Sequence, residues 1–138
     1  MSGHTFRNPD KIQQLPFRDW LRTNMPNGKD GFVVEDLDLI IRVYGNNYKT
    51  DQGGKFFLID LKHGTAWIDN AQKKTFGLMH ELLRLADPKH LRYKGFFVVQ
   101  YSNSDWGKSA FKVNKVSLDR NALLDFFSFR LEIDSLFD

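Results

Sequence analysis

Residues 32–64 decide the fold prediction, and they read FVVEDLDLIIRVYG (32–45), NNYKTDQGG (46–54) and KFFLIDLKHG (55–64). The two apolar runs on either side of the polar turn are rich in β-branched and aromatic residues, which is typical of strands. Acidic residues stand inside both runs. Because a buried carboxylate without a partner is costly, this pattern indicates that something cationic lies between the strands.

Side chains two residues apart on a strand point to the same face of its sheet. Asp60 therefore shares a face with Lys62 on the second run, and Asp36 shares one with Asp38 on the first. A divalent metal ion is the obvious cation, since aspartate oxygens suit Mg²⁺ or Mn²⁺. A nearby lysine can stabilise negative charge on a phosphate or position a water molecule.

The rest of the chain predicts an alternation of helices and strands around this pair. In chain order we expect one or two helices over 9–25, strands over 32–44 and 55–62, an extension or short strand over 65–68, a helix over 71–86 capped by Asp69 or Asn70, strands over 95–101 and 110–116, and a helix capped by Asp119 and packed through Leu123, Phe126 and Phe127.

The helix over 71–86 has an apolar stripe of Phe76, Met79, Leu83 and Ala86 at helical spacing. One turn back from Phe76, the same stripe reaches Gln72. An amide in the first turn is therefore expected to face the sheet.

The length and composition predict a single domain over 1–138. The absence of cysteine excludes disulfides, thiolate zinc sites and cysteine nucleophiles. A net charge of +3 is compatible with a phosphate-bearing partner. No apolar run reaches the length of a membrane span, so no membrane partner and a cytoplasmic location are expected.

The order helix, strand, strand, helix, strand, with acids on the paired strands, resembles the PD-(D/E)XK nuclease superfamily and its resolvase-like branch. Asp38 matches the first acid of that pattern, Asp60-Leu61-Lys62 matches the (D/E)XK element, and Gln72 matches a polar helix residue. No proline precedes Asp38, so the literal PD is absent. The resemblance implies an α/β fold with a central mixed β-sheet flanked by helices, in a restriction-endonuclease-like αβββαβ core. This core covers about 9–101, and a strand and helix over 108–130 are expected to pack on it.

The resemblance also implies a metal-dependent endonuclease or exonuclease. In that reading Asp38, Asp60 and the Leu61 carbonyl hold Mg²⁺ or Mn²⁺, while Lys62 contacts the scissile phosphate or orients the attacking water. Gln72 helps to place Lys62 or that water. DNA is the expected substrate, and a homodimer is expected by the same resemblance. Asp36 and Asp19 are reserve ligands, with a surface or capping role as the alternative for Asp36.

Further residues have two readings each. The basic segment with Lys89, Arg92 and Lys94 is expected to contact a nucleic-acid backbone, and the alternative is a solvated loop. His63 is a second candidate for contacting a phosphate. For Asp60 and Lys62 the alternative is a solvent-facing ion pair. The matching alternative for the whole protein is a catalytically inactive module of the same fold, which binds nucleic acid or protein as an inhibitor or accessory factor.

Overall fold

The computed structural model describes residues 19–21, 23–24, 35–43, 54–103, 105 and 107–138. Contacts within the chain group it into two units, Met1–Asp36 and Leu37–Asp138. In the first unit, residues 19–21 and 23–24 are helical and residues 35–36 are irregular. The rest of the predicted N-terminal helical region lies outside the described residues, and the single domain over 1–138 stays a prediction.

The second unit contains a five-stranded mixed sheet with the strands in chain order. Its strands are β1 Leu39–Arg42, β2 Phe56–His63, β3 Tyr93–Tyr101, β4 Phe111–Val113 and β5 Val116–Leu118. Only β2 and β3 pair in parallel, whereas the other three neighbouring pairs are antiparallel. A parallel pair needs a long crossover, and here a helix supplies it.

That crossover helix, α1, spans Asn70–Ala86, and a second helix, α2, spans Arg120–Phe127. Asp69 caps α1 by accepting a hydrogen bond from the Gln72 N–H, and the Gln72 side chain bonds back to the Asp69 N–H in a capping box. Asp119 caps α2 by accepting from the Ala122 N–H. Both aspartates thus begin helices by satisfying backbone donors that have no partner inside the helix.

The sheet is buried on both faces, and each face belongs to a separate apolar cluster. On the α1 face the buried residues are Leu58, Ile68, Phe76, Tyr93, Phe96 and Val98. On the α2 face they are Phe57, Ile59, Phe97, Val99, Phe111, Val113, Leu123 and Phe126. Alternate residues of β2 and β3 go to opposite clusters, which is why both strands read as continuous apolar runs.

The α/β class with a mixed sheet and flanking helices is confirmed, and several element boundaries are corrected. Residues 35–38 of the predicted first strand are not strand, and residues 65–68 form a turn and irregular chain. The predicted strand over 110–116 is two strands, because Asn114 (φ 47°) and Lys115 (φ 68°) form a left-handed turn between β4 and β5. The apolar stripe predicted for α1 is also corrected, because Ala86 is exposed whereas His80 is buried.

Among the described residues, no helix has the length and apolar character needed to cross a membrane.

Candidate functional site

Asp60 and Lys62 lie near the carboxyl end of β2, on the face that α1 covers. In the parallel register Asp60 stands opposite Val98 and Lys62 stands opposite Gln100. Asp60 is only 2% exposed, so its carboxyl group lies under α1 and beside the apolar cluster of that face. The alternative of a solvent-facing ion pair therefore does not describe Asp60, because this carboxyl group is buried. Burial of a carboxylate in such surroundings is costly.

Asp38 immediately precedes β1 and comes to the same place from the neighbouring strand. The antiparallel register pairs Leu39 with Ile59 and Ile40 with Leu58, and one further step sets Asp38 opposite Asp60. The Leu61 N–H donates a hydrogen bond of 2.7 Å to Oδ2 of Asp38. This bond fixes the Asp38 carboxylate against the backbone of the Asp60-Leu61-Lys62 triplet.

The carboxyl group of Asp60 is poorly satisfied where it lies. The pKa of Asp60 is raised to about 6, chiefly by burial and also by the adjoining Asp38 carboxyl through hydrogen bonding and repulsion, while the Lys62 ammonium lowers it. The buried Oδ2 atom of Asp60 has no hydrogen-bond partner among the described residues. A buried acceptor in this state favours either a proton or a bound cation.

Lys62 lies between this carboxyl group and the first turn of α1. Its ammonium nitrogen is 3.3 Å from Oδ2 of Asp60, within ion-pair distance but without the angles of a hydrogen bond. The same nitrogen donates a 3.1 Å hydrogen bond to Oε1 of Gln72. The Lys62 side chain is about one-fifth exposed, so the charged end can still reach a partner from solvent.

The Gln72 oxygen has a second donor, which fixes it in place. The Asp69 N–H donates to Oε1 of Gln72 at 3.1 Å, while the Gln72 N–H donates to Oδ1 of Asp69 at 2.7 Å. The capping box of α1 therefore holds the atom that receives the Lys62 ammonium. Local helix chemistry and the candidate site depend on the same side chain.

The residues present fit a hard cation that keeps most of its water. Mg²⁺ is commonly held through one or two carboxylates and substrate phosphates, so Asp38 and Asp60 suffice as protein ligands of that kind. The Oδ2 atom of Asp60, which has the Lys62 ammonium at 3.3 Å but no hydrogen-bond donor, is an acceptor that such an ion could use. The described residues contain no group of three or more His, Cys, Asp or Glu side chains that could form a fuller metal cage.

Other residues predicted from the sequence lie elsewhere. Asp36 and Asp19 belong to the first unit. His63 follows Lys62 but points to the other face, where its ring packs 5.2 Å from the Tyr101 ring. The expected roles of these residues are not tested by this arrangement.

The basic segment Lys89, Arg92 and Lys94 leads into the start of β3. Its Arg92 carbonyl accepts a hydrogen bond from the Phe56 N–H at the first residue of β2. Lys62 lies six positions after Phe56 along β2, a distance of about 20 Å. These three cations therefore lie at the opposite end of the strands from Lys62, and their contact with nucleic acid stays a prediction.

Sequence reasoning missed one polar residue beside the site, Gln100. This side chain is 8% exposed, stands next to Lys62 in the sheet, and donates from Nε2 to the Ala66 carbonyl at 2.9 Å. It thereby ties the connection between β2 and α1 to the sheet. The available signal was an amide inside the apolar run GFFVVQY (95–101).

Comparison of the chain with protein-family models, with curated proteins and with solved structures gives no match.

Proposed function

We propose that this protein is a Mg²⁺- or Mn²⁺-dependent phosphodiester hydrolase that acts on nucleic acid, with DNA as the first substrate to test. The observation that carries the proposal is the buried Asp60 carboxylate, which has an unsatisfied Oδ2 atom beside a second carboxylate and a lysine. Stability alone does not account for Asp60, since an apolar residue at this buried position would destabilise the fold less than an unsatisfied carboxylate.

In the proposed mechanism Asp38 and Asp60 would hold the metal ion, together with the Leu61 carbonyl. The bound ion would supply charge neutralisation at the phosphate and activation of a water molecule. Lys62 places a positive charge where negative charge develops on the scissile phosphate. Gln72 accepts from the Lys62 ammonium and so restricts where that charge can lie.

The resemblance to PD-(D/E)XK nucleases agrees with this reading of the residues. Asp60 and Lys62 come from β2, Gln72 comes from the following helix, and Asp38 is the residue before the neighbouring strand β1, an order similar to that pattern. The family itself and its αβββαβ core remain part of the proposal.

The test is cleavage of plasmid, linear, single-stranded and branched DNA, and of RNA, by the full chain in Mg²⁺, Mn²⁺ or EDTA. We expect metal-dependent cleavage that falls at least about a hundredfold in Asp60→Asn and in Lys62→Ala. Glu132→Gln removes a charge from an exposed acid outside the site and is the matched control. Circular dichroism verifies that each variant is folded.

Cleavage that survives in Asp60→Asn would refute the assignment of the site. Absence of cleavage on all these substrates, together with no Mn²⁺ binding by electron paramagnetic resonance, would refute the hydrolase.

A second candidate function is a binding module of the same fold without catalysis. The observation that favours it is that Lys62 already has two protein partners, Asp60 and Gln72, and so is satisfied without substrate. Such a module would bind DNA as tightly or more tightly after Asp60→Asn, because a negative charge is removed. The hydrolase instead loses metal-dependent turnover in that variant.

A further inference from the structure

A groove of about 660 Å³ lies between α1, the turn that joins β4 to β5, and Leu136 and Phe137 near the end of the chain. Lys73 and Lys74 line it from the helix, Lys115 lines it from the turn, and Trp67 lines it from the connection between β2 and α1. We call this surface the lysine groove.

The lysine groove has an excess of positive charge. Three lysines line it and one acid, Glu81, accompanies them. Among the described residues no carboxylate forms an ion pair with Lys73, Lys74 or Lys115. Unpaired ammonium groups that share a concave surface attract a polyanion, because their fields add there.

The Trp67 side chain contributes a flat ring to the same groove. The indole is partly buried and packs against the apolar cluster under α1, which holds it in place. The Lys115 ammonium lies over its ring at 4.6 Å from the centroid. A ring face that receives an exposed lysine can also receive a planar base, since both are attracted to the π-face.

Two links connect the groove to the site. Lys73 directly follows Gln72, the residue that receives the Lys62 ammonium. Trp67 directly follows Ala66, whose carbonyl is tied to Gln100, the neighbour of Lys62 in the sheet.

A further lysine extends the positive charge across the sheet. On the face of Lys62 and Gln100, the next position is exposed Lys112, which pairs with Gln100 in the antiparallel register of β3 and β4. Lys62 and Lys112 therefore lie on the same face of the sheet, on either side of the uncharged Gln100.

The geometry points to the lysine groove as the binding path of a single strand of nucleic acid that leads to the Asp38–Asp60–Lys62 site. Lysines would contact its phosphates, and a base would replace Lys115 on the Trp67 ring. A duplex hides the faces of its bases in the stack, so an aromatic ring of this kind serves an unpaired strand. This inference rests on the proposed function and names the form of its substrate.

Binding is measured in EDTA, where no cleavage takes place. The probe is a fluorescent oligodeoxythymidylate of about 16 nucleotides, with a blunt duplex of the same length as its comparison. Fluorescence anisotropy over a series of salt concentrations gives Kd and its salt dependence. We expect the single strand to bind more tightly than the duplex.

Trp67→Leu keeps an apolar side chain but removes the ring, and we expect its Kd to rise about five- to a hundredfold. Trp67→Phe keeps a ring and should recover much of the affinity. The double variant Lys112→Gln, Lys115→Gln should lower the slope of log Kd against log salt by about 1.4, or about 0.7 for each lost phosphate contact. Arg130→Gln, which removes an exposed cation beyond α2, should change neither quantity.

Equal or tighter binding of the duplex would overturn the inference, as would folded Trp67→Leu protein with unchanged Kd. A loss of affinity in Arg130→Gln as large as in the double lysine variant would also overturn it, because binding would then follow the net charge of the protein alone. Cleavage in Mg²⁺ distinguishes the two proposals. If the protein cleaves but its affinity does not depend on Trp67 and the lysines, the proposed hydrolase stands and the proposed binding path is wrong. If its affinity depends on them but it does not cleave, the binding path stands and the hydrolase is wrong.

Discussion

The Lys62 ammonium donates a 3.1 Å hydrogen bond to the same Gln72 oxygen that accepts from the Asp69 N–H. One side-chain amide thus completes the N-terminal cap of α1 and fixes the charged end of the candidate catalytic lysine. The cap contributes to stability, and the lysine contact contributes to the proposed chemistry. Substitutions at position 72 can separate the two contributions.

We predict that Gln72→Ala lowers both stability and turnover, whereas Gln72→Glu lowers turnover alone. Alanine removes the side-chain half of the capping box, at a cost of about 0.5–1 kcal/mol in the free energy of unfolding. Glutamate is equally suited to the cap, but its charge would draw the Lys62 ammonium away from a phosphate. Urea unfolding and steady-state cleavage measure the two effects, with kcat expected to fall about ten- to a hundredfold in both variants.

Unchanged kcat in Gln72→Glu would show that Gln72 does not position Lys62. A fall in kcat that follows stability across both variants would assign the residue to the helix cap alone.

Much of this arrangement could be predicted from the sequence, because it depends on local periodicity. The period of two on β2 puts Asp60 and Lys62 on one face, and the helical period places Gln72 inward one turn before Phe76. The structure brings these three side chains together with Asp38. The α/β class follows from the same alternation of strand and helix patterns.

The sequence did not predict features that depend on tertiary context. The two-residue turn at Asn114 and Lys115 carries no glycine, and Asn114 accepts this conformation with its side chain bonded to the Val98 N–H at 2.8 Å. His80 is buried because Tyr93 and Asp138, both distant in sequence, supply its partners. Gln100 becomes a candidate site residue only when the register of β2 and β3, which places it beside Lys62, is known.

We predict that Asp60→Asn stabilises the metal-free protein at pH 8 while abolishing its proposed activity. The pKa of Asp60 rises from 3.8 to about 6 on folding. The folded state therefore holds this proton more tightly than the unfolded state, so the stabilising contribution is complete below 3.8 and is lost as the pH rises through about 6. Asparagine removes the charge, and the expected gain in the free energy of unfolding is about 1–3 kcal/mol.

Urea unfolding in EDTA at pH 8 and at pH 5 measures this effect. The gain should shrink at pH 5, where the wild-type carboxyl is largely protonated, and Glu132→Gln should show no gain at either pH. Added Mn²⁺ should stabilise the wild type and not Asp60→Asn, because the ion stabilises only a folded state that keeps the Asp60 carboxylate to bind it. An Asp60→Asn protein that is less stable at pH 8 would contradict the view that this carboxylate is unsatisfied.

Metal affinity should depend on pH through the same carboxyl group. Because the proton on Asp60 must leave before a cation binds, we expect the apparent Mn²⁺ affinity to be nearly constant above about pH 7 and to fall roughly tenfold per pH unit well below 6. Isothermal titration calorimetry at several pH values measures this dependence. An apparent Mn²⁺ affinity that stays constant between about pH 5 and about pH 8 would show that Asp60 is not a ligand.

His80 is predicted to contribute strongly to stability and little to catalysis. Its ring is 4% exposed, and its nitrogens lie 2.7 Å from the Tyr93 hydroxyl and 2.6 Å from Oδ1 of Asp138. His80→Leu leaves that buried hydroxyl without its partner, so we expect a loss of about 2–3 kcal/mol in the free energy of unfolding. Leu82→Ala, at an exposed position of the same helix, should cost under about 0.5 kcal/mol.

The matched glycine variants Gly95→Ala and Gly77→Ala should change stability in opposite directions. Gly95 has φ +125°, and an added Cβ would lie 2.5 Å from the Cβ of Ser135. Ser135 holds the last residues of the chain on β3, since its hydroxyl accepts from the Phe96 N–H at 3.0 Å. Backbone strain and this collision together should cost Gly95→Ala at least about 2 kcal/mol.

Gly77 lies inside α1, and a Cβ there would meet the Phe137 ring at 3.5 Å, an ordinary contact. Alanine favours the helix over glycine by about 1 kcal/mol, so Gly77→Ala should be more stable than the wild type. Thermal and urea unfolding of the two variants test both directions at once. A Gly95→Ala protein of wild-type stability would mean that the segment with Ser135 does not pack on β3 as described, and the attachment of the chain end to the sheet would have to be revised.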